Sequence, residues 1–118
     1  GFAALIGDLA DRGMLESTMV VVMSEFGRTP NINKYYGRDH WGNAWSICLG
    51  GGKIARGAVV GKANDNGTKV IAREVSFAHL FHTYLAGVGL DSHEPFDVGG
   101  RPVPMADPAF DPIDELIV

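Results

Sequence analysis

The sequence predicts an α/β fold: a mostly parallel sheet flanked by helices, with a β-hairpin and an irregular C-terminal tail. Three observations predict it. Phe2, Leu5, Ile6 and Leu9 recur at i, i+3, i+4 and i+7, the pattern of an amphipathic helix. The continuous apolar run Thr18-Met-Val-Val-Val-Met23 follows at once. Short β-branched runs of that kind suit strands buried on both faces. Helix followed by buried strand is the rhythm of a parallel sheet.

Composition fits one folded domain. The chain has 118 residues, 46% hydrophobic and 20% charged, ordinary values that argue against disorder. Its 16 glycines have no period, which excludes collagen-like repeats. Ten Lys+Arg against 14 Asp+Glu give a net charge of −4, unsuited to non-specific nucleic-acid binding. No apolar run approaches the roughly 20 residues of a membrane span. A single cysteine, Cys48, excludes an internal disulfide and a CxxC metal knuckle.

The elements follow in order. A helix covers residues 2 to about 13, with Gly13 as its stop. Opening on a helix without a preceding Met, the chain reads as the C-terminal portion of something larger. After the strand at 18–23 comes a long polar loop, residues 24–43, rich in aromatics and long enough to be functional. Ala44-Trp-Ser-Ile-Cys-Leu49 reads as a second apolar strand, ended by Gly50-Gly-Gly52, with Cys48 a buried inert thiol. Asn66-Gly67 marks a hairpin turn, because both residues tolerate positive φ. Ser76 caps a helix running to about Val88, with Phe77, Leu80, Phe81, Tyr84, Leu85 and Val88 as its buried face. The tail from Asp91 holds five of the six prolines, and is expected to wrap the surface with one strand near Arg101–Met105.

Candidate chemistry concentrates in the long loop. Ligands in open α/β sheets bind beyond the carboxyl ends of strands. The first strand ends at Ser24-Glu25, so Glu25 stands at such an end. The loop adds Arg28, Thr29, Asn33, Arg38, Asp39 and His40. Carboxylate plus imidazole is ligand chemistry for a divalent metal such as Zn, and arginine suits an oxyanion. The plainer alternative is that Glu25 pairs with Arg28 or Arg38 and only pins the loop. Asp39 and His40 are adjacent, and both reach one metal from a loop but rarely from a strand, where side chains alternate. His79 and His82 lie opposite the apolar stripe and read as solvated surface. Gly50-Gly-Gly-Lys53 lacks the spacing of a phosphate loop and reads as a turn.

The wording Ser24-Glu-Phe-Gly-Arg-Thr-Pro30, then Gly37-Arg-Asp-His-Trp-Gly-Asn43, then Leu49-Gly-Gly-Gly52 resembles a bacterial family, the domain-of-unknown-function 1501 family. The match runs over most of residues 2–90. The resemblance implies the alkaline phosphatase/sulfatase superfamily and its sandwich fold, with metal-dependent hydrolysis of phosphate or sulfate esters. It also implies a longer, exported parent of which this chain is a C-terminal piece, inactive alone. In that superfamily a strand ends in Ser-Asp-His-Gly, whose Asp and His bind metal. Glu25 keeps the carboxylate, and Phe26 replaces the His. Glu25, Asp39 and His40 are then the expected ligands of a Zn or Ca ion. Arg28 and Arg38 would hold a small anionic ester, with Thr29 and Asn33 adding neutral contacts. A non-catalytic secreted binding or scaffold protein that keeps the fold is the alternative. Self-association through an exposed sheet edge or apolar face is a further expectation.

Overall fold

The computed structural model describes residues 1–118. It contains two α-helices and eight short strands, and the strands form four separate two-stranded sheets. The pairs with defined register are antiparallel. The mostly parallel, helix-flanked sheet is therefore not what this chain forms, and neither is the sulfatase-like sandwich. The reason lies in strand length. No strand exceeds four residues, roughly 13 Å at about 3.3 Å per residue, and each finds a single neighbour. The run at 18–23 keeps only β1, Met19–Val22, and its residues are half-buried or exposed rather than covered on both faces. Two compact units form, and each is described separately.

Unit 1 holds Gly1–Val20, Leu49–Val59 and Val75–Val118. Helix α1 spans Phe2–Asp11 and stops before Gly13, as its pattern predicts. None of its residues is buried. Phe2 and Ile6 lie over Gly50, where an added Cβ would sit 3.3 Å from Ile6 Cδ1. β1 pairs with β4, Cys48–Gly51. That strand starts four residues later than expected and runs on into the glycines. Cys48 is exposed, not a buried thiol. Gly51 has φ +76°, and an added Cβ there would strike the carbonyl oxygens of Thr18 and Leu15. Only glycine fits that approach.

Helix α2 spans Phe77–Gly87 behind the Ser76 cap, which His79 completes as a capping box. Its inner face is Leu80, His82, Thr83 and Gly87. The expected apolar face is split: Leu80 is buried and Tyr84 and Leu85 are half-buried, while Phe77, Phe81 and Val88 are exposed. The tail does more than wrap. Ile113, in it, is 1% exposed and joins Ile54 and Leu80 as the buried apolar core. Backbone bonds from Ala55 to Leu116 and from Val118 to Lys53 fasten it. The strand expected near Arg101 is β8, Arg101–Pro104, in a hairpin with β7, Pro95–Val98. Gly99 and Gly100 have φ +62° and +83°, as a two-residue turn of this hand requires.

Unit 2 holds Val21–Cys48 and Val60–Glu74. In it β2, Gly27–Arg28, pairs with β3, His40–Trp41, closing the long loop as a hairpin. β5, Lys62–Ala63, pairs with β6, Val70–Ala72, around the expected Asn66-Gly67 turn. Asn64 Oδ1 accepts from the amides of Thr68 (2.8 Å) and Lys69 (3.1 Å) and shapes that turn. Trp41 Nε1 donates to the Thr68 carbonyl at 3.0 Å and ties the two hairpins together. No helix of either unit is long and apolar enough to cross a membrane.

Candidate functional site

The loop is ordered by its own polar groups. The Thr29 amide donates to the Asp39 carbonyl, and the Asp39 amide donates to Thr29 Oγ1, both at 3.0 Å. Thr29 Oγ1 donates in turn to the Asn31 carbonyl at 2.9 Å. Asn33 organises the tip: its Oδ1 accepts from the amides of Tyr35 (2.9 Å) and Gly37 (3.1 Å). Its Nδ2 donates to Asp39 Oδ1 at 2.8 Å. Arg38 Nη1 donates to the carbonyls of Thr29 and Pro30. Thr29, Asn33, Arg38 and Asp39 thus spend polar atoms on the loop itself.

Arg28 and His40 stand apart from that mesh. They are direct cross-strand partners, so their side chains share one face of the β2–β3 hairpin. The His40 ring stacks on Phe26, with centroids 4.0 Å apart. The Arg28 guanidinium lies 5.7 Å from the Phe26 centroid, within cation–π reach. One Arg28 nitrogen donates to the Arg38 carbonyl at 3.3 Å, leaving the rest of a five-donor fork. Glu25 is exposed and makes no ion pair with Arg28 or Arg38. Phe26, read from sequence only as a lost ligand, is the platform for both neighbours.

Metal ligation finds little support within the chain. Nowhere do three His, Cys, Asp or Glu side chains gather in a group that could hold an ion. His40 opens β3 directly after Asp39, and along a strand successive side chains point to opposite faces. One Asp39 oxygen is taken by Asn33, and the His40 ring is stacked. Glu25, Asp39 and His40 therefore do not fit a complete Zn or Ca site by themselves. The Gly50-Gly-Gly-Lys53 turn is no phosphate cradle either. The amides of Gly52, Lys53 and Ile54 already donate to Leu15, Gly87 and Gly51 carbonyls. A shallow cavity of about 100 Å³ beside that turn is lined by Glu16, Met19, Lys53 and Val88, with none of the loop residues.

A second polar cluster escaped sequence reasoning. His82, expected on the solvated surface, is 0% exposed. Its Nε2 lies 2.9 Å from the Asp107 carbonyl. A carbonyl only accepts, so Nε2 carries the proton and Nδ1 accepts from Ser92 Oγ at 2.6 Å. The His93 ring sits 5.1 Å from that of His82, and its Nε2 meets Asp111 Oδ1 at 3.0 Å. His79, also expected in solvent, is half-buried, with its ring edge-on to Phe110. Helical periodicity gave no signal for this cluster, because its partners come from the irregular tail.

The family model described as Protein of unknown function (DUF1501) matches residues 1–117. No curated protein matches the chain, and no solved structure matches it.

Proposed function

The chain belongs to the DUF1501 family, and from that premise we propose that it is the C-terminal portion of an exported, sulfatase-like hydrolase of phosphate or sulfate esters, to which it supplies an anion-recognising hairpin. The observation that carries this reading is the Arg28–His40 cross-strand pair beside Phe26. A guanidinium fork and an imidazole N–H on one face match two oxygens of a tetrahedral anion. Charge that develops on those oxygens during ester cleavage is stabilised by the same donors. Arg38, Thr29, Asn33 and Asp39 act one step back, holding the hairpin in shape. Glu25, on the exposed approach to β2, keeps its carboxylate open to solvent. The shortage of buried apolar side chains supports a fragment: α1 buries none of its residues.

Hydrolysis of 4-nitrophenyl phosphate and 4-nitrophenyl sulfate tests this reading, in the protein carrying its natural upstream residues. Turnover of one ester is expected, with kcat/KM falling about 10²–10³-fold in Arg28→Ala. The chain 1–118 alone is expected to be inactive. No turnover of either ester, or an Arg28→Ala protein as active as wild type, overturns it. A second reading, a non-catalytic binding protein, is favoured by the polar atoms that the loop spends on itself. Sulfate or phosphate binding without turnover of any ester would select it.

A further inference from the structure

The hairpin that carries Arg28 and His40 has a front and a back. Its ladder pairs Gly27 with Trp41 and Arg28 with His40. Successive strand residues point to opposite faces, so Arg28 and His40 share the front and Trp41 lies on the back. A two-stranded hairpin alone is at best marginally stable in water. Support comes from the back. An added Cβ on Gly27 would sit 2.6 Å from the Ala44 carbonyl oxygen and 2.8 Å from Trp45 Cβ, so the chain at 44–45 passes close against β2. Trp41 Nε1 donates to the Thr68 carbonyl at 3.0 Å, in the turn of the β5–β6 hairpin. Asn64 holds Thr68 in place: its Oδ1 accepts from the Thr68 amide and its Nδ2 donates to Thr68 Oγ1, both at 2.8 Å. An added Cβ on Gly67 would lie 3.7 Å from Pro30 Cγ, so the same turn also rests near the chain that leaves β2.

We propose that Trp41 and Asn64 are positioning residues for anion recognition: the β5–β6 turn braces the back of the β2–β3 hairpin and so fixes His40 opposite Arg28. The inference rests on the reading of Arg28 and His40 as the anion-binding pair. Neither positioning residue touches the anion. Trp41 acts from the far face, and Asn64 acts through Thr68 and then Trp41. His40 precedes Trp41 directly in β3, and its ring rests on Phe26, so the course of β3 decides where the imidazole stands. Two donors that share one tetrahedral anion have to keep their separation, and a misplacement of about 1 Å is costly. Asn64 lies 36 residues beyond Arg28 in the chain, so this dependence has no local sequence signal.

Calorimetric titration with sulfate and with inorganic phosphate tests the brace, in the protein carrying its natural upstream residues. The wild type is expected to bind one of these anions, and Arg28→Ala to bind it about tenfold more weakly or worse. Trp41→Phe keeps an aromatic ring and removes the N–H, and Asn64→Ala removes both bonds to Thr68. Each is expected to raise the dissociation constant about three- to tenfold with an unchanged far-UV spectrum. The double variant is expected to bind little more weakly than either single one, because both break one path. Ser76→Ala, which weakens the cap of α2, is expected to bind as wild type. If Trp41→Phe fails to fold, Asn64→Ala against Ser76→Ala decides. Wild-type affinity in Trp41→Phe and Asn64→Ala overturns the brace and leaves the Arg28 reading standing. Fully additive losses in the double variant, or an equal loss in Ser76→Ala, also overturn it, since general destabilisation then explains the effect. A wild type that binds neither anion, or an Arg28→Ala protein that binds as well as wild type, overturns the Arg28 reading and the brace with it.

Discussion

A buried polar side chain has to meet its partners, and His82 meets two of them. Ser92 Oγ and the Asp107 carbonyl satisfy both ring nitrogens, at 0% exposure. His82→Ala orphans the buried Ser92 hydroxyl and opens a cavity. A loss of about 2–4 kcal/mol is expected in urea unfolding. The neighbouring His93–Asp111 pair is a contrast, because the Asp111 side chain is largely exposed. Asp111→Asn is expected to change stability by less than about 1 kcal/mol. Equal losses in the two variants would show that the buried network does not hold the tail. Burial also acts on Tyr84, whose hydroxyl is raised above its ordinary pKa by desolvation. The neutral phenol is the folded form, so this contribution is present below pH 10 and is lost as pH climbs through the raised value.

Helix ends were readable one element at a time. Ser76 accepts from the His79 amide, and the His79 ring returns a contact to Ser76. Ser76→Ala is expected to lower stability by about 1 kcal/mol, read from the urea midpoint. No change would mean that tail contacts alone hold the helix start. Both helices, the Asn66-Gly67 hairpin and the strand near Arg101 were legible because each rests on local signals: period, cap and positive-φ turn. The orientation of α2 was not, since it depends on Ser92, Asp107 and Ile113, which approach from the distant tail. Edge strands carry their own restraint. Pro95, Pro102 and Pro104 have no amide to offer, so the β7–β8 hairpin resists extension at its edges.

Across the whole molecule the apolar core is small: Ile54, Leu80 and Ile113 are its buried members, and only Ile113 among them is fully buried. Ile113→Ala is expected to cost about 2–5 kcal/mol, while Leu5→Ala on α1 should cost far less, because Leu5 is exposed. Comparable losses from the two would mean that α1 is covered in solution. The candidate site shows the same division between local and distant information. The sequence alone located the stretch: Glu25, Arg28, Thr29, Asn33, Arg38, Asp39 and His40 all lie in or beside one hairpin loop, as their crowding in residues 24–43 suggested, but it did not show Phe26 as the platform between Arg28 and His40. It also determined the helices and turns, whose causes lie within a few residues. Only the tertiary structure decided the rest: that short strands pair in twos, that Arg28 faces His40 across the hairpin while Arg38 serves the loop, and that a histidine is buried while phenylalanines face out. Those outcomes turn on register and on contacts between distant segments, and hydrophobic periodicity carries no information about either.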